Sequence, residues 1–248
     1  MPNTSVRPAR TLIPLLGALA ALLLASGCAP RPAEPPPPAG QILPALPTEL
    51  ALALDQFRAE GPTGWAFTQA TSGGGKELVE RYDPRHPGPA RWTLLAEKGQ
   101  PPTEEQQTRY RAMRPAQDSS SELAAQLDRS RVVLVATDDH SSTYEFALRP
   151  ASEKDTAAAH MRARVTLDRP SGGITRVELF NFRSFKPAIS LTIHEARTTL
   201  TYTPPTAEHP ALPLESRLHI RGERVWFRDF EQTVVSTFQD HEKIGAHD

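Results

Sequence analysis

From Arg131 to the C-terminus, apolar and polar positions alternate with a period of two, the mark of strands with one face buried. Tyr144, Phe146 and Leu148 alternate with Glu145, Ala147 and Arg149; Val165 and Leu167 alternate with Thr166 and Asp168. Val177 and Leu179 continue the pattern, and Phe180 and Phe182 then take the opposite parity, which predicts a bulge. Ile189, Leu191 and Ile193 predict one strand, Leu200 and Tyr202 its continuation, and Leu218 and Ile220 another ending in a turn at Gly222-Glu223. Val225 and Phe227 open the last strand, which reaches past Val235 to Phe238. Pro170-Ser171-Gly172-Gly173 is turn chemistry.

Upstream the pattern is mixed. Leu50, Leu52, Leu54 and Phe57 predict a helix over 48–60, with Thr48 as cap and Gly61-Pro62 as stop. Trp65 and Phe67 face away from Ala66 and Thr68 on a strand, and Gly73-Gly74-Gly75 turns the chain into a return strand at 77–82. Arg91 to Glu97 alternates again, with Trp92 on one side. Thr103-Glu104-Glu105-Gln106 is a capping box opening a helix to Met113, and Ser121 to Asp128 is a further helix. Consecutive antiparallel strands twist and curl, and the helices are encoded early. The expected fold class is α+β: a curved antiparallel sheet, a half-barrel meander, with an N-terminal helix and two helices covering its concave face.

The first 47 residues obey other rules. Arg7 and Arg10 precede an apolar run, Leu12 to Leu24, and then the small residues Ala25, Ser26 and Gly27, the order of a secretory signal. The run is shorter than the roughly 20 residues of a membrane span. Ala25-Ser26-Gly27-Cys28 resembles the lipobox of bacterial lipoproteins, although Ala25 stands where that family usually has Leu. The resemblance implies cleavage before Cys28, the chain's one cysteine, and acyl chains on it that anchor the protein to a membrane. With Ala29 in the following position, the resemblance also implies the outer membrane, facing the periplasm. Residues 29–47 contain eight prolines, Pro35 to Pro38 in a row, and read as a semi-rigid polyproline spacer. The expected organisation is 1–27 signal peptide, 28–47 lipidated cysteine and tether, and 48–248 one globular domain.

Loss of residues 1–27 leaves 26 basic against 29 acidic residues, a formal charge of −3, which argues against nucleic acid as a partner. With Cys28 lipidated no thiol remains for a disulfide. Asp138-Asp139-His140, followed by two serines, reads as a solvated turn rather than a metal site; His194, Glu195 and His219 lie on strands, and a metal would need them to converge. The glycine runs at 73–75 and 171–173 lack the spacing of phosphate loops, and no nucleophile-elbow or zinc-helix motif occurs. The expectation is a non-catalytic protein without cofactor or metal.

The order of elements resembles the LolA/LolB superfamily. The resemblance is carried by Tyr144-Glu145-Phe146-Ala147-Leu148-Arg149-Pro150 and by the strand, Asp168, Gly turn and strand from Val165 to Val177. It covers about thirty residues closely and the rest by element order, and the receptor's protruding apolar loop maps to no position here. It implies an incomplete barrel that holds acyl chains or another hydrophobic ligand, with Trp65, Phe67, Trp92, Tyr144 and Phe146 as its lining, set against ordinary core packing of the same aromatics. The alternative expectation is a structural lipoprotein that docks an envelope protein partner.

Overall fold

The computed structural model describes residues 40–59, 61–113, 122–150, 155–224 and 228–244. Cys28, the stretch expected to be a signal and most of that expected to be a spacer lie outside these residues, as do Val225 and Phe227. Twelve strands form one antiparallel, open and curved sheet: β1 (Gln41–Ile42), β2 (Trp65–Gly73), β3 (Lys76–Tyr82), β4 (Trp92–Glu97), β5 (Leu127–Thr137), β6 (Ser141–Leu148), β7 (Met161–Asp168), β8 (Ile174–Asn181), β9 (Phe185–Ala188), β10 (Leu191–Tyr202), β11 (Pro213–Arg224) and β12 (Arg228–Lys243). Among the described residues three α-helices accompany it: α1 (Thr48–Gln56), α2 (Glu104–Met113) and the single turn α3 (Glu122–Gln126).

The order across the sheet is β1-β5-β6-β7-β8-β10-β11-β12-β2-β3-β4, with β9 paired to β10. From β5 onward it is a meander. The early strands β2 to β4 attach beyond β12, so the chain's last strand joins its first hairpin to the rest. β1 lies inside the stretch read as spacer, its Gln41 and Ile42 paired with Leu134 and Val133 of β5.

One sheet face carries the core. Met161, Ala163, Val165 and Leu167 of β7 pack in one cluster with Tyr144 and Phe146 of β6, Val177 and Leu179 of β8, and Leu200 and Tyr202 of β10. Helix α1 closes it with Leu50, Ala53 and Leu54, while Leu52 points to solvent, 59 % exposed. Helix α2 lies at the far end of the same face, against β3 and β4: the Tyr110 hydroxyl donates to Glu80 Oε1 at 2.7 Å, both side chains buried. Its start is a reciprocal capping box, with Gln106 N–H donating to Thr103 Oγ1 (3.3 Å) and Thr103 N–H to Gln106 Oε1 (2.7 Å).

Several expectations are corrected. Helix α1 stops at Gln56, four residues early, because Phe57 turns extended and drops its ring into the core. Thr48 provides no side-chain cap. The helix expected over 121–128 is one short turn, since Leu127 already pairs with Leu148. No bulge occurs at Leu179–Phe180: β8 keeps its register, and Phe180 stands on the opposite face beneath the guanidiniums of Arg164 and Arg197, at 4.6 and 5.6 Å. Long arginine stems can cover an aromatic ring without a second core, which the alternation alone does not reveal. Ile189 is 96 % exposed between β9 and β10, not a strand residue. Gly222 is no turn but a buried strand position opposite Ile193 and Phe230, where a Cβ would lie 2.2 Å from the Thr192 carbonyl oxygen. The glycine there permits close approach of the backbones.

Candidate ligand-binding site

Two regions of the core face bear on binding. The first is a cavity of about 210 Å³ at one rim of the sheet, where the end of α1 meets the β7–β8 turn and the β10–β11 loop. Its apolar walls are Ala53, Phe57, Ile174, Tyr202, Pro205 and Ala211; Gln56, Arg58 and Ser171 supply polar groups. The walls are fixed locally. Phe57 meets Tyr202 edge-on at 5.1 Å, and the Tyr202 hydroxyl donates to the Ala59 carbonyl at 2.9 Å, tying the segment after α1 to β10. Asp168 holds the turn by accepting from Ser171 N–H (3.0 Å), and Gly173 lets Pro205 pack so close that a Cβ would come within 2.3 Å of the proline ring. Arg58 directs one nitrogen to the Asp55 and Phe57 carbonyls and remains exposed. Pockets for drug-sized ligands run to roughly 300–1,000 Å³. This cavity therefore suits the end of a chain or a single ring, not a whole large ligand.

The second is an aromatic cluster at the far end of the same face. Phe67 stacks on Tyr82 (5.0 Å) and meets Trp92 (5.8 Å), Phe238 (5.5 Å) and His241 (6.1 Å). Cross-strand registry makes it, setting Phe67 opposite Tyr82 and Tyr82 opposite Trp92. Between the clusters runs a polar strip: the Gln69 amide contacts Thr71 (3.0 Å) and Ser236 (3.3 Å), whose hydroxyls bond each other at 2.8 Å.

Burial depresses the pKa of His241 below its ordinary 6.5, opposed by a hydrogen bond to the Pro213 backbone. The His160 pKa is lowered too, first by burial and then by Arg183. Below pH 6.5 the unfolded chain takes up these protons and the folded chain resists them, so stability falls as pH falls. Urea midpoints are expected to drop from pH 7.5 to 5.5, and His241→Phe to flatten that slope; an unchanged slope would remove His241 from the account.

The five residues expected to line a site divide. Phe67 and Trp92 meet in the aromatic cluster, with Trp65 half-buried on the same strand face. Tyr144 and Phe146 belong to the aliphatic core, 5 % and 1 % exposed. None of the five lines the rim cavity. Its residues Phe57, Tyr202 and Pro205 carry no site motif in the sequence, where the one signal is the density of prolines over 204–213. Asp138 closes the β5–β6 turn by accepting from His140 N–H (2.8 Å) and Ser141 N–H (2.7 Å). His194 bonds Glu223 at 3.0 Å, while His219 bonds Thr233 at 3.2 Å. Among the described residues no group of three or more His, Cys, Asp or Glu is arranged to hold a metal.

No protein-family model matches this chain, and neither the curated proteins nor the solved structures yield a match. Among the described residues no helix is long and apolar enough to cross a membrane.

Proposed function

We propose that this is a membrane-anchored envelope lipoprotein whose half-barrel domain binds a hydrophobic ligand without catalysis, its α1 and α2 lying over the concave side. The observation that carries the reading is the rim cavity, a space between a helix and the open end of a curved sheet whose walls join Phe57, Ile174, Tyr202 and Pro205 to the polar Gln56, Arg58 and Ser171. The lipobox-like Ala25-Ser26-Gly27-Cys28 supplies the anchor, and the proline-rich stretch the spacing from an outer membrane on its periplasmic side. The cavity takes one end of an acyl chain or a ring, and the aromatic cluster with Trp65, Phe67 and Trp92 offers a second apolar surface.

Native mass spectrometry of the chain is expected to show a co-purifying lipid. Ala53→Phe, which places a ring in the cavity, is expected to lower its occupancy at least about tenfold, the equivalent of roughly 1.4 kcal/mol. A clean mass for the parent chain rejects ligand binding. The anchor is tested separately: Cys28→Ser is expected to move the protein from the membrane to the soluble fraction, and unchanged sedimentation with membranes rejects acylation there.

Docking of an envelope protein partner is the second reading. It is favoured by the β5 edge, which among the described residues is met by β1 at Val133 and Leu134 and by the Leu43 N–H at the Val132 carbonyl. Cross-linking in cells from positions on β5 is expected to trap a protein if this edge is used, and a lack of adducts there counts against it.

A further inference from the structure

The face of the sheet opposite the core carries a concentration of arginine that the chain's net charge of −1 conceals. Over β6 to β10 the register places Arg164 opposite Glu145, Arg162 opposite Phe180, and Phe180 opposite Arg197. Arg162 and Arg183 lie over the Phe182 ring at 4.3 and 5.3 Å, and Arg164 and Arg197 over Phe180. Carboxylates on this stretch are engaged: Glu145 pairs with Arg164 at 2.9 Å, Glu178 with Arg197 at 2.9 Å and Arg176 at 3.2 Å, and Glu195 lies 3.9 Å from both Arg221 and His219 of β11. Exposed Arg131 adds a further cation beside Arg162. Burial pushes the Arg162 pKa down; Glu145 opposes this, and the facing charges of Arg131 and Arg183 add to it. Gathering like charges on a partly desolvated surface is costly unless an anion comes to them.

We propose that this face of β5 to β10 docks on an anionic membrane surface, its guanidiniums meeting lipid phosphates. Guanidinium matches phosphate in two-pronged geometry, and each basic residue near an anionic bilayer strengthens attachment by about fivefold. The phenylalanines between the arginines give the amphipathic texture suited to a headgroup layer. Single-stranded nucleic acid, the other polyanion, needs open aromatic faces for its bases to stack. Phe180 and Phe182 already carry guanidiniums, which favours the bilayer. The proposal is independent of the rim cavity and of acylation.

The test uses the full chain with Cys28→Ser in every sample, so that the segment before Gly40 contributes equally throughout. Co-sedimentation is measured with phosphatidylcholine vesicles, alone or with one-third phosphatidylglycerol. Expected is a preference for the anionic vesicles that fades as salt rises. Arg131→Gln with Arg162→Gln is expected to weaken binding to anionic vesicles on the order of 25-fold, at about fivefold per charge. Arg131→Lys with Arg162→Lys, which keeps the charge, is expected to retain most of it, and Arg217→Gln with Arg221→Gln on β11 to change it little. Since Arg131 is exposed, Arg131→Glu alone provides a folded variant with reduced binding. The proposal is overturned if the parent chain binds both vesicles equally or if the glutamine pair binds like the parent. Two further results also reject it: a lysine pair that falls as far as the glutamine pair, or stronger binding to a single-stranded oligonucleotide than to the anionic vesicles at the same salt.

Discussion

Replacing Phe146 with alanine is expected to destabilise the protein by about 3–5 kcal/mol, the usual cost of truncating a fully buried aromatic. Phe146 is 1 % exposed and heads the largest fully buried side chains. It stands between Val132 of β5 and Ala163 of β7, in the cluster that receives Leu50 and Leu54 from α1. Truncation removes the ring's burial and leaves a void that a sheet bonded on both sides cannot collapse to fill. Against a total stability of roughly 5–15 kcal/mol, this is a large share. Phe146→Leu keeps much of the volume and is expected to cost under half as much. Urea unfolding followed by tryptophan emission measures both. The experiment also decides what Phe146 is for. If it lines a ligand space, truncation should cost little and raise lipid uptake; a loss below about 1 kcal/mol would contradict the packed-core account.

The meander was legible because its signal is strictly local. A half-buried strand must alternate, and Met161 to Asp168 does so without fault, each odd-numbered residue buried. The capping box before α2 was legible for the same reason, since Thr103 and Gln106 answer each other within one turn. The Gly74-Gly75 pair was legible as well: both residues have positive φ, 60° and 76°, in the hairpin between β2 and β3. The errors came where distant neighbours overrule local pattern. Phe180 looked like a core residue out of register because its cover is arginine from β7 and β10. Gly222 looked like a turn because the close approach of β10 to its backbone is invisible in sequence.

The candidate site was much less legible than the fold. The rim cavity joins residues 53–62, 171–174 and 202–211, three segments far apart in the chain that no spacing rule connects. The basic face escaped for a related reason. Its arginines stand at polar-side positions of β5, β7, β8 and β10, one or two to a strand, which locally reads as the ordinary polar side of a sheet. Registry turns that alternation into one continuous patch. Net charge is therefore a poor guide to the partner of a β-sheet protein: strand pairing can collect one sign on one face while the rest of the chain carries the other.

Gly73→Ala is expected to cost about 3 kcal/mol or more, through two separable effects. Gly73 has φ +96°, a conformation side chains rarely adopt, worth roughly 1–3 kcal/mol in strain. A Cβ there would also stand 2.1 Å from the Thr233 carbonyl oxygen, a backbone atom that cannot swing aside. The position is critical in the topology. Gly73 pairs with Lys76 in the β2–β3 hairpin and with Val234 of β12, the junction through which β2, β3 and β4 join the meander. Relief of the clash therefore means parting β2 from β12. Gly172 isolates the first effect: its φ is +68° and a Cβ there would meet no atom within 4 Å, so Gly172→Ala is expected to cost about 1–2 kcal/mol. Thermal unfolding of the two variants should rank them in that order, and hydrogen exchange of Gly73→Ala should show β2 to β4 losing protection before β6 to β8 do. Equal destabilisation by the two substitutions would mean that backbone strain alone acts and that the β2–β12 seam tolerates the methyl group.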